Sequence, residues 1–277
     1  MNSAAASVSG AFVLTPAAAK KLIGKAVASL PEVRRAAASG RLLIANGTTT
    51  SYVIEALTGR PAERFEYCVG VVTEGKYTEN PNAEKSLFYW ERGEVRRVAF
   101  KDFLETLRAF ERDDVFVKGA NAVDPFGFAG GLQTNPNGGS WAEAFGVATA
   151  RGLHTIVPVG LEKLIPSVVD AAEKLGQLRV NYCIGNPAGL IPLTSFKVVT
   201  EIEALEHLTG VCATCVAAGG FGGSEGARAF VVEGTEEQVK HALSLALEVG
   251  DEPATAAGPV KWTSRLPEGI EEARPVV

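Results

Sequence analysis

The chain has 277 residues, 46% of them hydrophobic, enough for one large core or two smaller ones. Its net charge of -5 and pI near 5.4 leave no basic footprint, which argues against a nucleic-acid partner. No apolar run is long enough to span a membrane, and the Ala- and Ser-rich start lacks the basic region and long apolar segment of a signal peptide.

In chain order, residues 1–16 (MNSAAASVSGAFVLTP) read as a short leader, ordered or frayed. Thr15-Pro16 opens a helix, with a capping hydroxyl and a proline at the first helical position. Helix propensity continues to Ser39, with a break at Leu30-Pro31 and a stop at Gly40. Arg41 to Ala45 is a short buried strand, and a helical pattern resumes at Ser51. Phe65 to Thr73 reads as a strand. Arg92-Gly93 joins Ser86–Tyr89 to Glu94–Ala99 as a hairpin, and Lys101 to Phe110 is an amphipathic helix. Val115 to Val117 is a buried strand that runs into the small-residue turn Lys118 to Asp124 and a long loop rich in Gly, Asn and Pro. A helix from about Ser140 to Arg151, a strand Thr155 to Val159 and a broken helix Leu161 to Leu175 follow.

This alternation predicts an α/β fold with a doubly wound, mostly parallel sheet. After residue 178 the pattern becomes strand (Phe196–Val199), helix (Ile202–Leu208), two strands (Val211–Ala217, Ala227–Glu233) and helix (Glu236–Leu247), an α+β module of the split βαβ kind. The expected organisation is an α/β domain over 1–178, a small module over 179–250, and an extended arm over 251–277.

Two strand-end loops are suited to holding an anion. In Asn46-Gly47-Thr48-Thr49-Thr50, glycine allows close backbone approach, while hydroxyls and the N–H groups of the following helix start can hold a phosphate or carboxylate. The plainer alternative is that Thr48 or Thr49 caps the helix. The sequence contains neither GxxxxGK[ST] nor GxGxxG, so neither a P-loop nor a dinucleotide fold is supported. The second loop offers Lys118, Asn121 and Asp124 at the end of a buried strand, with Gly119, Gly130, Gly131 and Asn137-Gly138-Gly139-Ser140 able to wrap a small ligand. A lysine straight after an apolar strand must reach solvent or a partner, whereas Asn121 and Asp124 could simply satisfy turn backbone.

The runs Leu42 to Thr50 and Asp114 to Asp124 resemble the sugar-phosphate isomerase and CoA-transferase superfamily. Gly119-Ala120-Asn121 and Gly131-Leu132-Gln133-Thr134 are similar to the sensor domains of DeoR-type regulators, and Ile156 to Ser167 resembles lactate-utilisation (LUD) domains. The resemblance spans roughly Arg41 to Leu175. It implies an enzyme acting on a small phosphorylated or carboxylated metabolite, with coenzyme A a conceivable substrate and no resident cofactor. Lys118 would neutralise oxyanion charge, while Asn121 and Asp124 would position or deprotonate the substrate. Ribose-5-phosphate isomerases place acidic residues where this chain has Lys118 and Asn121, so a non-catalytic metabolite sensor, or an assembly partner, is the alternative.

Four cysteines in a chain with a large core point to a reducing cytoplasm. Cys212-Ala213-Thr214-Cys215 lies in a strand-like run without a second CxxC and reads as buried structural cysteines. The three histidines show no metal-ligand spacing, so no metal is expected. The glycine-rich tip Gly219 to Ser224 could be a lid, an oligomer contact or a plain turn, and a homo-oligomer is expected from the small module by analogy alone.

Overall fold

The computed structural model describes residues 7–272. Strand β1 (Val8–Leu14) alternates half-buried and exposed residues up to the buried Leu14. Thr15 Oγ1 then accepts the Ala18 N–H at 3.2 Å and caps α1 (Pro16–Ser29), as the Thr-Pro pair predicts. Pro31 starts α2 (Pro31–Ser39), β2 (Arg41–Ile44) follows, and α3 (Thr48–Thr58) leaves its end.

Two hairpins come next, β3 (Gly70–Thr73) with β4 (Lys76–Glu79), and β5 (Ser86–Glu91) with β6 (Glu94–Ala99). Both turn through a residue-glycine pair at positive φ, Glu74-Gly75 and Arg92-Gly93, the geometry of a two-residue hairpin turn. The expected single strand over Phe65–Thr73 is therefore corrected: its first half is turn, and the rest is the first strand of a hairpin.

The middle of the chain holds α4 (Phe103–Arg108), β7 (Val115–Val117), β8 (Ala122–Val123), β9 (Ala129–Gln133), α5 (Gly139–Arg151) and β10 (His154–Pro158). The last third holds α6 (Val168–Lys174), β11 (Gly189–Leu193), β12 (Lys197–Val199), α7 (Glu201–Thr209), β13 (Cys212–Gly219), β14 (Ala227–Gly234) and α8 (Glu236–Gly250).

The fold is mixed α/β. Its main sheet has six strands in the order β12-β10-β7-β2-β5-β6. β12, β10, β7 and β2 run parallel, and the hairpin β5–β6 adds two antiparallel strands at one edge. A mostly parallel sheet is thus found only in those four strands, because a two-residue turn can join only antiparallel neighbours.

Two further expectations change. The long loop after β7 contains β8 and β9, which form an antiparallel three-stranded sheet with β11. The small module is not a split βαβ unit. Its first strand, β12, extends the main sheet, and its own sheet is β1-β14-β13, completed by residues 8–14 of the supposed leader, whose residues 1–6 lie outside the described ones. Phe12 packs on Phe230 across that pairing, with ring centroids 6.2 Å apart. Burying this apolar stripe outweighs leaving the first strand loose.

One core cluster runs from Leu14 to Val249. Within it, an aromatic series joins α4, β7 and α5: Phe103 to Phe116 at 5.7 Å, Phe116 to Trp141 at 6.0 Å, and Trp141 stacked on Phe196 at 5.9 Å. The arm after Asp251 is extended. Lys261 exchanges both backbone hydrogen bonds with Glu79, as Arg265 does with Cys183. Its last residues, 273–277, lie outside the described ones.

Cys212 is exposed and Cys215 only half-buried, because β13 is an edge strand with a register shift between Cys215 and Ala217. The expectation that both are buried structural cysteines does not hold. Cys68 is the buried thiol, pushed up to about 12 by loss of solvent. Among the described residues, no helix is long and apolar enough to cross a membrane.

Candidate functional site

The four parallel strands end in register. The Ala45 N–H donates to Val117 O at 2.9 Å, the Lys118 N–H to Ile156 O at 3.1 Å, and the Val159 N–H to Val199 O at 3.0 Å. The turns beginning at Asn46, Lys118, Gly160 and Thr200 therefore emerge along one edge. That edge, the carboxyl ends of parallel strands, is where open α/β sheets hold ligands.

At the end of β2, Asn46 Nδ2 donates to Glu84 O at 2.8 Å, tying the loop to the segment before β5. Gly47 occupies the N-cap of α3, and no side chain caps the helix. The Thr50 hydroxyl donates back to Gly47 O at 3.0 Å, and the Ser51 hydroxyl to Thr48 O at 2.6 Å. Neither Thr48 nor Thr49 acts as the cap, so the first-turn N–H groups receive no side-chain acceptor.

At the end of β7, the Trp141 indole N–H donates to Gly119 O at 3.0 Å and fixes the ring against the turn. Gly131 lies against the same ring, where a Cβ would come within 2.5 Å of Trp141 Cδ1. The ammonium of Lys118 sits 5.6 Å from the ring centroid. Its pKa falls to about 8, and loss of solvent is the sole cause, with no charged neighbour contributing. Lys118, Gly119 and Gly131 are thus brought together around Trp141.

Asp124 and Asn121 serve the backbone. Asp124 is buried. Its Oδ1 accepts the Phe126 and Phe128 N–H groups at 3.0 Å each, and its Oδ2 accepts the Val168 N–H at 2.9 Å. The carboxylate therefore ties the β8–β9 turn to the start of α6. Asn121 Oδ1 accepts the Leu132 N–H at 3.1 Å. Gly130 packs beneath Leu190 and Ala122. Asn137 to Ser140 form the start of α5, with Gly138 and Gly139 at positive φ and the Asn137 N–H on Asn135 Oδ1. Gly138 borders an open cleft of about 430 Å³ lined by Gln133, Asn135, Gln177, Leu190 and Ile191, a lining that includes neither Lys118 nor Thr48–Thr50.

A second charged group went unread as a site. Glu162 Oε1 lies 2.9 Å from Lys20 Nζ in α1. Both Glu162 oxygens are sealed from solvent without an aligned hydrogen bond. Burial works to raise the Glu162 pKa, but Lys163 and Lys20 outweigh it and hold the carboxyl below its ordinary value. Gly160 makes room for this arrangement, since a Cβ there would run into the carboxylate.

Lys163 Nζ donates to Ala120 O at 3.0 Å. Burial lowers its pKa, against the opposing pull of Glu162. Glu201 accepts the Leu161 N–H on both oxygens, at 3.1 and 2.8 Å, and burial raises its pKa to about 7. Arg228 Nη2 donates to Leu161 O at 2.7 Å. The available signal was Gly160-Leu161-Glu162-Lys163, two opposite charges directly after an apolar strand.

Comparison with family models, with curated proteins and with solved structures finds no match to this chain.

Proposed function

We propose that the chain is a cytoplasmic enzyme of the isomerase and CoA-transferase kind, acting on a small phosphorylated or carboxylated metabolite at the carboxyl ends of β2 and β7. Lys118 carries this reading. It stands at the end of a parallel strand, where loss of solvent lowers its pKa to about 8 and no charged neighbour contributes to the shift. An ammonium in that position is costly unless something supplies the missing negative charge, and an anionic ligand would do so. The uncapped first turn of α3, on the adjacent strand, adds N–H groups suited to the same anion. The parallel core β12-β10-β7-β2 is compatible with the doubly wound arrangement that the resemblance implies.

A second reading is favoured by Asp124. With both of its oxygens engaged by backbone N–H groups, it is badly placed to act as a base. A metabolite sensor of the same fold, assembled as a homo-oligomer, needs only the binding half of the site.

Thermal shift and calorimetry with ribose 5-phosphate, acetyl-CoA and lactate test both readings. At least one compound is expected to raise the melting temperature of the wild-type chain, and the shift should disappear in Lys118→Met. Turnover of the bound compound selects the enzyme, and binding without turnover selects the sensor. If none of these ligand classes shifts the wild-type chain, both readings are wrong.

A further inference from the structure

We infer that residues 60–84 form a lid over the carboxyl-end edge of the main sheet, and that the arm after Asp251 is the strap that holds it shut, with Glu252 as the catch. The inference rests on the preceding proposal only for what lies beneath the lid.

Residues 60–84 connect α3 to β5. Their hairpin, β3–β4, pairs as a two-stranded sheet of its own, apart from the main sheet. Such a unit is marginal without outside support. The connection is bonded within itself: the buried Asn80 donates its side-chain N–H to Phe65 O at 2.9 Å and its backbone N–H to Val69 O at 2.8 Å. It reaches the end of β2, where Asn46 Nδ2 donates to Glu84 O at 2.8 Å. It also reaches the end of β10. Cys68 is buried there, and the charges that act on its thiol are those of Lys163 and Lys20. In the sheet order, β7 lies between β10 and β2. A connection that touches both flanking strand ends crosses the turn that carries Lys118.

The arm fastens this connection at three places. At the first, the Glu252 carboxylate takes donors from three elements: the Lys21 ammonium of α1 at 2.7 Å, the Tyr52 hydroxyl of α3 at 2.9 Å, and the Arg64 guanidinium of the lid at 2.8 Å. Arg64 also lies over the Tyr52 ring, 3.8 Å from its centroid. At the second, Gly258 passes against Phe65, where a Cβ would come within 2.9 Å of the ring. At the third, Lys261 exchanges both backbone hydrogen bonds with Glu79 of β4, at 2.8 Å each. The Asn186 N–H donates to Tyr77 O at 2.7 Å, so the free edge of β4 is shared between the arm and that residue. Hydrogen bonds to an ionised group are stronger than neutral ones, and three of them converge on Glu252. It is the point at which one substitution releases a segment that has few other attachments.

The test uses Cys68 as the reporter. The full chain is alkylated with iodoacetamide and followed by peptide mass mapping, with the exposed Cys212 giving the rate of an open thiol. Hydrogen exchange in β7 reports global opening. Glu252→Gln keeps the shape of the catch and removes its charge. It should speed alkylation of Cys68 at least about tenfold while exchange in β7 stays unchanged. Lys261→Pro, which removes the N–H donated to Glu79, should do the same. Lys25→Met removes the Lys25–Glu248 pair nearby without touching the arm, and should leave the rate as in wild type. If neither arm variant speeds Cys68, or if Cys68 and β7 speed up together, the lid and strap are wrong.

Ribose 5-phosphate, acetyl-CoA and lactate separate this inference from the preceding one. A compound that raises the melting temperature and slows alkylation of Cys68 in wild type supports both. If the arm variants free Cys68 while no compound shifts the chain, the strap stands and the metabolite site falls. If a compound shifts the chain while the arm variants leave Cys68 protected, the metabolite site stands and the strap falls.

Discussion

Lys118 and Lys163 begin alike. Each follows a buried strand of the same parallel array, and each is depressed by lost solvent. They differ in what surrounds the ammonium. Lys163 stands in a cluster of mixed charge with Lys20, Glu162, Glu201 and Arg228, where backbone carbonyls and N–H groups take up much of the hydrogen-bonding capacity. Lys118 faces an indole ring and glycines. Buried charges that answer one another describe structure, whereas a buried charge with no answer leaves a place for a ligand.

Removing a partner from the mixed-charge cluster is the harshest test of this contrast. Lys20→Met leaves the sealed Glu162 carboxylate without its closest cation and should cost about 3–5 kcal/mol in urea unfolding. Adding Glu162→Gln should restore part of the loss. The folded Glu162 pKa lies below the ordinary 4.5, so its contribution is present above that pH and lost as pH falls through the folded value. The gap between wild type and Lys20→Met should therefore close in acid. A cost below about 1 kcal/mol would place this pair with ordinary surface bridges.

Gly131→Ala should cost about 1–3 kcal/mol, because the added methyl meets Trp141 at 2.5 Å. The same change should weaken ligand binding, since it displaces the ring beneath Lys118. Lys118→Met should act in the opposite direction and stabilise the chain by about 1–2 kcal/mol at pH 7. The folded state holds this proton less tightly than the unfolded state, whose pKa is 10.5. Wild type therefore gains stability as pH rises from about 8 towards 10.5, and the advantage of Lys118→Met should fade across that window. Destabilisation by Lys118→Met at pH 7 would mean that the lysine is paired after all.

The smallest effect is expected at Glu201. Its folded pKa of about 7 lies above the ordinary 4.5, so wild type loses stability as pH rises through that interval. Glu201→Gln keeps an acceptor for the Leu161 N–H and should gain about 1 kcal/mol at pH 8, with no gain below pH 4.5. Matched chemical denaturation at the two pH values reads the difference.

The sequence was informative where a local rule decides the outcome. The parallel strands follow from continuous apolar runs such as VFV, the start of α1 from Thr15-Pro16, and the β5–β6 hairpin from Arg92-Gly93. It was silent where partners are distant. β9 reads as loop because AGGLQ lacks branched residues, yet Gly130 and Gly131 are there to accommodate Leu190 and Trp141. Asp124 looks available because its backbone donors, Phe126, Phe128 and Val168, leave no trace in composition. Lys20 and Glu162 are joined only by folding. At the site itself, Lys118 was legible as a lysine following an apolar strand, but the lack of a counter-charge could be seen only in the fold.

The pairing of β1 with β14 bears on the order of assembly during synthesis. β1 ends at Leu14 and its partner begins only at Ala227, so β1 leaves the ribosome well ahead of it. The growing chain must therefore carry β1 with unmet backbone groups until β14 has been made. No fragment ending before Ala227 can close that sheet, so its completion reports that β13 and β14 have arrived.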